Sequence, residues 1–184
     1  SNDATLTASG GELVLSGANF ETQSFVSPTN SLMINVGSFG DTLTLGDISS
    51  VYTGSIVLVG GAGSDTLAAP DVAGTWELTG IDAGTYTWQD GPTVSFASVE
   101  NLQGAATQAD TFDFESGGAL TGTVDAGAGT LTVGVAGLVQ VSGTYNFSKT
   151  TFSGSYAGTS SGTVTDANVL TVSGSSGTGL IGVN

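Results

Sequence analysis

The chain has 184 residues, with sixteen Asp or Glu against one Lys or Arg and no His, for a formal net charge of −15. No basic patch can form, so nucleic acid and anionic membrane surfaces are excluded as partners, since each phosphate contact needs a cation. Without Cys, His or Arg there is no disulfide, thiolate ligand, imidazole base or guanidinium clamp, and the expectation is a protein that is not an enzyme.

Glycine accounts for 30 residues and charged residues for only 9%. Gly, Ser and Thr weaken helical backbone, Thr and Val suit pleated surfaces, and the helix formers Lys, Arg and Glu are scarce, so the chain reads as all-β. An apolar share of 39% suffices for a continuous core. No apolar run approaches the roughly 20 residues of a spanning helix, and the sequence opens at Ser1 without a basic or apolar leader pattern, so no membrane insertion is expected.

In chain order, the first strong signal is a repeat. Ser31 to Leu43, SLMINVGSFGDTL, aligns without a gap on Ser55 to Leu67, SIVLVGGAGSDTL. Each is an apolar strand, a Gly turn, and Asp-Thr-Leu opening a second strand. Short alternating runs follow: Thr75 to Thr79, Thr85 to Trp88 and Val94 to Phe96, each ending at turn residues. The Asp-Thr theme returns at Asp110 to Phe114, and looser copies occur at Leu120 to Val133, Leu138 to Val141 and Asn168 to Val172.

Fixed spacing favours stacked coils over a β-sandwich or jelly roll, which have no reason to repeat sequence. The expectation is one parallel β-helix, or β-solenoid, spanning 1–184. It would have about eight coils of about 22 residues, each rising roughly 4.8 Å. Longer acidic coils would occupy 1–142 and shorter neutral coils 143–184, because every acid but Asp166 lies at or before Asp125. In this arrangement Leu43 and Leu67 are vertical neighbours.

Gly60 to Ala68, GGAGSDTLA, matches the GGxGxDxUx nonapeptide of haemolysin-type calcium-binding repeats. The stretch Val99 to Val133 resembles the β-helical regions of large exported bacterial surface proteins in the style of filamentous-haemagglutinin-like adhesins. The closing TYNFSKTTFSGS and VLTVSGSSGTG resemble autotransporter-passenger repeats. These resemblances imply a right-handed winding and an extracellular or bacterial cell-surface location. The implied role is structural and adhesive, with other domains of the same large protein, copies of the chain, carbohydrate or a host surface as partners. A subunit that stacks through open ends into a filament or sheath is the alternative, and a calcium-stabilised repeat module is a third.

The nonapeptide resemblance implies Ca²⁺ held by Asp41 and Asp65 with the carbonyls of Gly61 and Gly63. No cofactor is otherwise required. Against that, the preceding turn places Phe39 where the pattern wants Gly, and the turn before Thr130 lacks its Asp. An Asp in such a turn also serves simply to cap backbone.

Three further groups hold candidate chemistry. Trp88 and Tyr86 would stack on sugar rings if they face outward and would fill the core if they face inward. Trp76 shares a strand face with Leu78 and is expected to be buried. Asp110, Asp113 and Glu115 contain a carboxyl pair of the kind glycoside hydrolysis needs, although Asp113 and Glu115 read as an ordinary solvated face. Thr-x-Thr pairs at Thr42 and Thr130 suggest a regular Thr array of the kind that binds ice, but they also read as outward strand residues.

Overall fold

The computed structural model describes residues 1–127 in full, and beyond them the backbone of strands at 131–135, 139–143, 145–156 and 162–174. The described residues are all β. In chain order the first strands are β1 (Ala4–Ser9), β2 (Glu12–Gly17), β3 (Phe20–Phe25), β4 (Ser31–Asn35), β5 (Thr42–Leu45) and β6 (Ser55–Val59). Next come β7 (Thr66–Ala68), β8 (Gly74–Gly80), β9 (Ala83–Trp88), β10 (Thr93–Ala97), β11 (Asn101–Gln103) and β12 (Asp110–Phe114). The last are β13 (Val124–Asp125), β14 (Leu131–Val135), β15 (Val139–Gly143), β16 (Tyr145–Tyr156) and β17 (Gly162–Gly174).

These strands form two mixed sheets and a separate hairpin. One sheet runs β13-β11-β7-β5-β1-β2-β3, the other β15-β14-β12-β8-β9-β10-β6-β4, and β16 pairs with β17. The repeat builds parallel rungs: β4 lies on β6 with Ser31 over Ser55, and β5 lies on β7 with Leu43 over Leu67. Each rung contributes one strand to each sheet, as β4 leads to β5, β6 to β7, β10 to β11 and β12 to β13.

The expected regular parallel β-helix of about eight coils is not what forms. Antiparallel hairpins interrupt both sheets. Gly10 and Gly11, at φ 61° and 84°, make the two-residue reversal that folds β2 back on β1, a turn with positive φ at both positions. Asp82, at φ 52°, reverses the chain so that β9 returns along β8 with Tyr86 opposite Trp76. TWELT and TYTW are therefore the two arms of one hairpin inserted between β10 and β12, and not strands of successive coils. A strand alternates in the same way whether its neighbour is parallel or antiparallel, so periodicity alone did not separate the two.

The core lies between the sheets. Leu6, Leu13, Leu43, Leu45, Leu67 and Leu102 line it from one side, and Ile56, Leu58, Leu78, Val94, Phe96 and Phe112 belong to strands of the other. Leu43 and Leu67 are both fully buried neighbours in that ladder. Fully burying each such side chain stabilises the fold by roughly 1.5–3 kcal/mol. The stretch expected as shorter coils contains the paired β16 and β17; 157–161 and 175–184 lie outside the described residues.

Candidate functional site

At the corners where one sheet hands over to the other, backbone amides leave the strand ladder and need other acceptors. Acidic side chains of the neighbouring rung supply them. The N–H of Asn2 donates to Oδ1 of Asp41, that of Asp41 to Oδ1 of Asp65 at 2.9 Å, and that of Asp65 to Oε2 of Glu100 at 2.8 Å. One residue along, the N–H of Thr42 donates to Oδ1 of Asp3 at 2.9 Å, and that of Thr123 to Oδ1 of Asn101 at 3.1 Å. The result is a column of carboxyl and amide side chains running from rung to rung.

Other turns and loops repeat the device. Asp82 accepts from the N–H of Thr121 at 2.7 Å, and Asp71 from the N–H of Thr107 at 2.7 Å. Asp110 takes the amides of Gly74 at 3.0 Å and Ala105 at 2.5 Å, and so clamps two loops to the start of β12. For Asp65 the alternative to calcium was a cap on its own turn; it instead accepts from the Asp41 amide 24 residues away, and Asp110 from the Gly74 amide 36 residues away. Glu100 was missed because its partner lies 35 residues away in the chain. Its place just ahead of Asn101, in step with Asp41-Thr42 and Asp65-Thr66, is the signal that would have found it.

Burial gives these carboxyls unusual electrostatics. Asp41, Asp65 and Asp110 are buried, and Oδ2 of both Asp41 and Asp65 has no hydrogen-bond partner. Burial pushes the Asp65 carboxyl above the usual range, and the nearby charges of Glu100 and Asp41 add to this against the opposing amide of Asp41. Asp110 is also raised by burial, with the amides of Ala105 and Gly74 pulling it down and Asp71 pushing it up. Asp47, at the surface, is lowered by its hydrogen bonds with Ser49.

The glycines proposed to hold calcium serve close stacking. Gly61 sits at φ 104°, and a Cβ there would lie 1.8 Å from the carbonyl oxygen of Gly37 on the rung before. Gly63 sits at φ 133°, where a Cβ would come within 2.6 Å of the Gly40 nitrogen. Asp41, Asp65, Gly61 and Gly63 thus do lie together at one corner. Among the described residues, however, no group of three or more His, Cys, Asp or Glu is placed to hold a metal ion.

Trp88 and Tyr86 face inward. Tyr86 is fully buried and Trp88 is 6% exposed, so neither offers a ring face to sugar. They belong to an internal aromatic stack: Phe112 lies parallel to Trp76 with centroids 5.4 Å apart, Trp76 meets Tyr86 at 4.1 Å, and Tyr86 meets Trp88 at 5.2 Å. Burial drives the Tyr86 phenol far above its ordinary range. Asp110 lies inward beside this stack, whereas Asp113 is half-buried and Glu115 exposed. Thr42 sits over Thr66 and Thr5 over Thr44, but the second column continues as Ala68 and Gln103, whereas in the facing sheet Thr87, Thr75, Thr111 and Thr132 align on successive strands; Thr130 lies outside the described residues.

Compared with known protein families, curated proteins and solved structures, the chain finds no match.

Proposed function

We propose that this chain is a structural module of an exported bacterial surface protein, presenting its acidic two-sheet body as a stiff surface to other domains, to carbohydrate or to a host cell. The column through Asp41, Asp65 and Glu100 carries this reading. Its carboxyls are spent on the amides of neighbouring rungs, so the acids that could have been a ligand site act as cross-braces. An intramolecular hydrogen bond contributes roughly 0.5–1.5 kcal/mol net, and braces at successive corners resist splaying of the rungs. No bound cation is required in this reading, because amides rather than a metal satisfy one oxygen of each carboxyl.

Light scattering and small-angle X-ray scattering across a wide concentration range test it. The expected result is a monomer whose scattering profile is independent of concentration and which resists protease within 1–127. Rods that lengthen with concentration would replace it with a filament subunit, and an expanded, protease-sensitive chain would remove any stiff-module role.

A further inference from the structure

The two sheets do not end together. β1 lies parallel on β5 and extends the ladder one rung beyond it, and the Asn2 amide sits on Asp41 as the Asp41 amide sits on Asp65. In the facing sheet the last strand is β4, which shares its rung with β5, and among the described residues no strand pairs with β4 where a partner of β1 would be. One sheet is therefore a strand short at this end.

The free edge is built to pair. The N–H of Val36 bonds to the carbonyl of Val59, so by strand alternation residues 32, 34 and 36 serve β6, while the backbone groups of Ser31, Met33 and Asn35 point away from it. Next to that edge, Leu32 and Ile34 face Leu15, Phe20 and Phe25 across two adjoining clefts of about 230 and 250 Å³. The stretch Thr22 to Gly40 carries no charge in a chain of net charge −15. It also holds Val26, Met33 and Phe39, three of the four large apolar side chains that stand exposed among the described residues. Edge strands are ordinarily protected by charge, proline or a bulge, and β4 has none of these.

We infer that β4 is the docking edge for one extended peptide strand from a partner protein, uncharged and with apolar side chains at alternate positions, added parallel to β4. The parallel direction follows from the ladder it continues, β4 on β6 on β10. Its apolar positions, in step with Leu32 and Ile34, fill the two clefts; its backbone pairs with Ser31, Met33 and Asn35. An acidic strand is disfavoured by the apolar side chains that line the clefts and by the negative body around them. This inference concerns the end of the ladder and stands apart from the structural role proposed for the carboxyl column.

The test uses a fluorescein-labelled peptide with the chain's own sequence from Gly54 to Gly63, GSIVLVGGAG, because β6 is what β4 already pairs with. Fluorescence anisotropy is expected to show saturable binding to the whole chain. A peptide carrying Asp in place of its Ile and Leu should bind at least about tenfold more weakly. Met33→Pro removes only an outward N–H, which an edge strand tolerates, and should abolish binding with the thermal unfolding of the chain unchanged. If Met33→Pro unfolds the chain, Ser31→Pro removes an outward N–H at the strand's first residue and serves instead. Slowed amide exchange at Met33 and Asn35 on adding peptide is the matching direct readout. No saturable binding, or equal binding by the proline variant, overturns the proposal. A concentration-dependent dimer that the proline variant lacks also overturns it, by assigning the edge to a second copy of the chain.

Discussion

The backbone N–H of Asp41 donates to Oδ1 of Asp65 at 2.9 Å, joining two rungs that lie 24 residues apart in the chain. Both residues occupy the same place in the repeat, so each Asp is at once a donor through its amide and an acceptor through its carboxyl. The bond is buried, and an N–H stripped of its acceptor there has no water to turn to. This makes the Asp of the Asp-Thr-Leu motif a brace whose value depends on its oxygen more than on its charge.

Replacing Asp65 separates those two properties. Asp65→Ala leaves the Asp41 amide without a partner and should cost roughly 1–3 kcal/mol. Asp65→Asn keeps an oxygen for that amide and relieves the repulsion from Glu100 and Asp41, so its stability should stay within about 1 kcal/mol of the parent. Guanidinium unfolding midpoints of the two variants measure this; equal losses would show that charge, and not the acceptor, is what the corner uses.

Acidification from neutral pH should stabilise the fold. Asp65 and Asp110 both have carboxyls raised above the ordinary 3.8 when folded, so the folded state holds protons that the unfolded chain has already released. Stability from these groups is therefore complete below about the unfolded value and is lost as pH rises through the raised ones. Melting temperature should climb as pH falls from 7 toward that value, and the climb should shrink in Asp65→Asn. At still lower pH, Asp47, lowered by Ser49, works in the opposite direction. A melting temperature that falls steadily from pH 7 downward would contradict this account.

Gly61 and Gly10 both have positive φ, but only Gly61 is packed against the next rung. Gly61→Ala adds a methyl where the Gly37 carbonyl already lies, and should cost roughly 3–5 kcal/mol or prevent folding. Gly10→Ala meets nothing within 4 Å and should cost about 1–2 kcal/mol, the strain of a left-handed Ala alone. Thermal melts of the pair separate the cost of the stack from that of the backbone conformation; similar losses would mean the corners are not tightly stacked.

What the sequence disclosed and what it concealed divide along physical lines. The pairing of Leu43 with Leu67 and of Ser31 with Ser55 was legible, because equal side chains at equal offsets have the same cause. The reversal at Asp82 was not, since a corner and a hairpin use the same turn residues and even the same backbone, φ being 52° at Asp82 in the hairpin and 54° at Ser98 in the corner between β10 and β11. Trp88 was ambiguous beside Gln89-Asp90-Gly91. Gly91 resolves it, lying so close over the indole that a Cβ there would sit 2.1 Å from the ring, and the turn thereby seals the aromatic stack. The Glu100 brace was hidden because its partner is remote in the chain.

The inward aromatic stack predicts a spectroscopic signature. Trp76 and Trp88 are both buried, so their emission should be blue-shifted, weakly quenched by acrylamide, and unchanged by added mono- or oligosaccharides. Trp76 lies against Phe112, Tyr86 and Phe96, and Trp76→Ala should cost roughly 3–5 kcal/mol. Saccharide-dependent quenching in the folded protein would restore these residues as a binding platform.

Calcium gives the sharpest separation between a brace and an ion site at the Asp41–Asp65 corner. A Ca²⁺ ion needs six to eight oxygens, whereas each of these carboxyls already gives Oδ1 to an amide. The glycine turns above them are packed rung on rung, with Gly61 against the Gly37 carbonyl. An ion that bound only the folded state would raise its stability by RT ln(1 + [L]/Kd), so even weak binding shows in a melt at high calcium. The expected melting temperature in millimolar calcium equals that in the same concentration of magnesium, for the parent and for Asp65→Asn alike. A calcium-specific rise that Asp65→Asn abolishes would instead place an ion between the two unpartnered Oδ2 atoms, and the carboxyl column would then be a row of ligands.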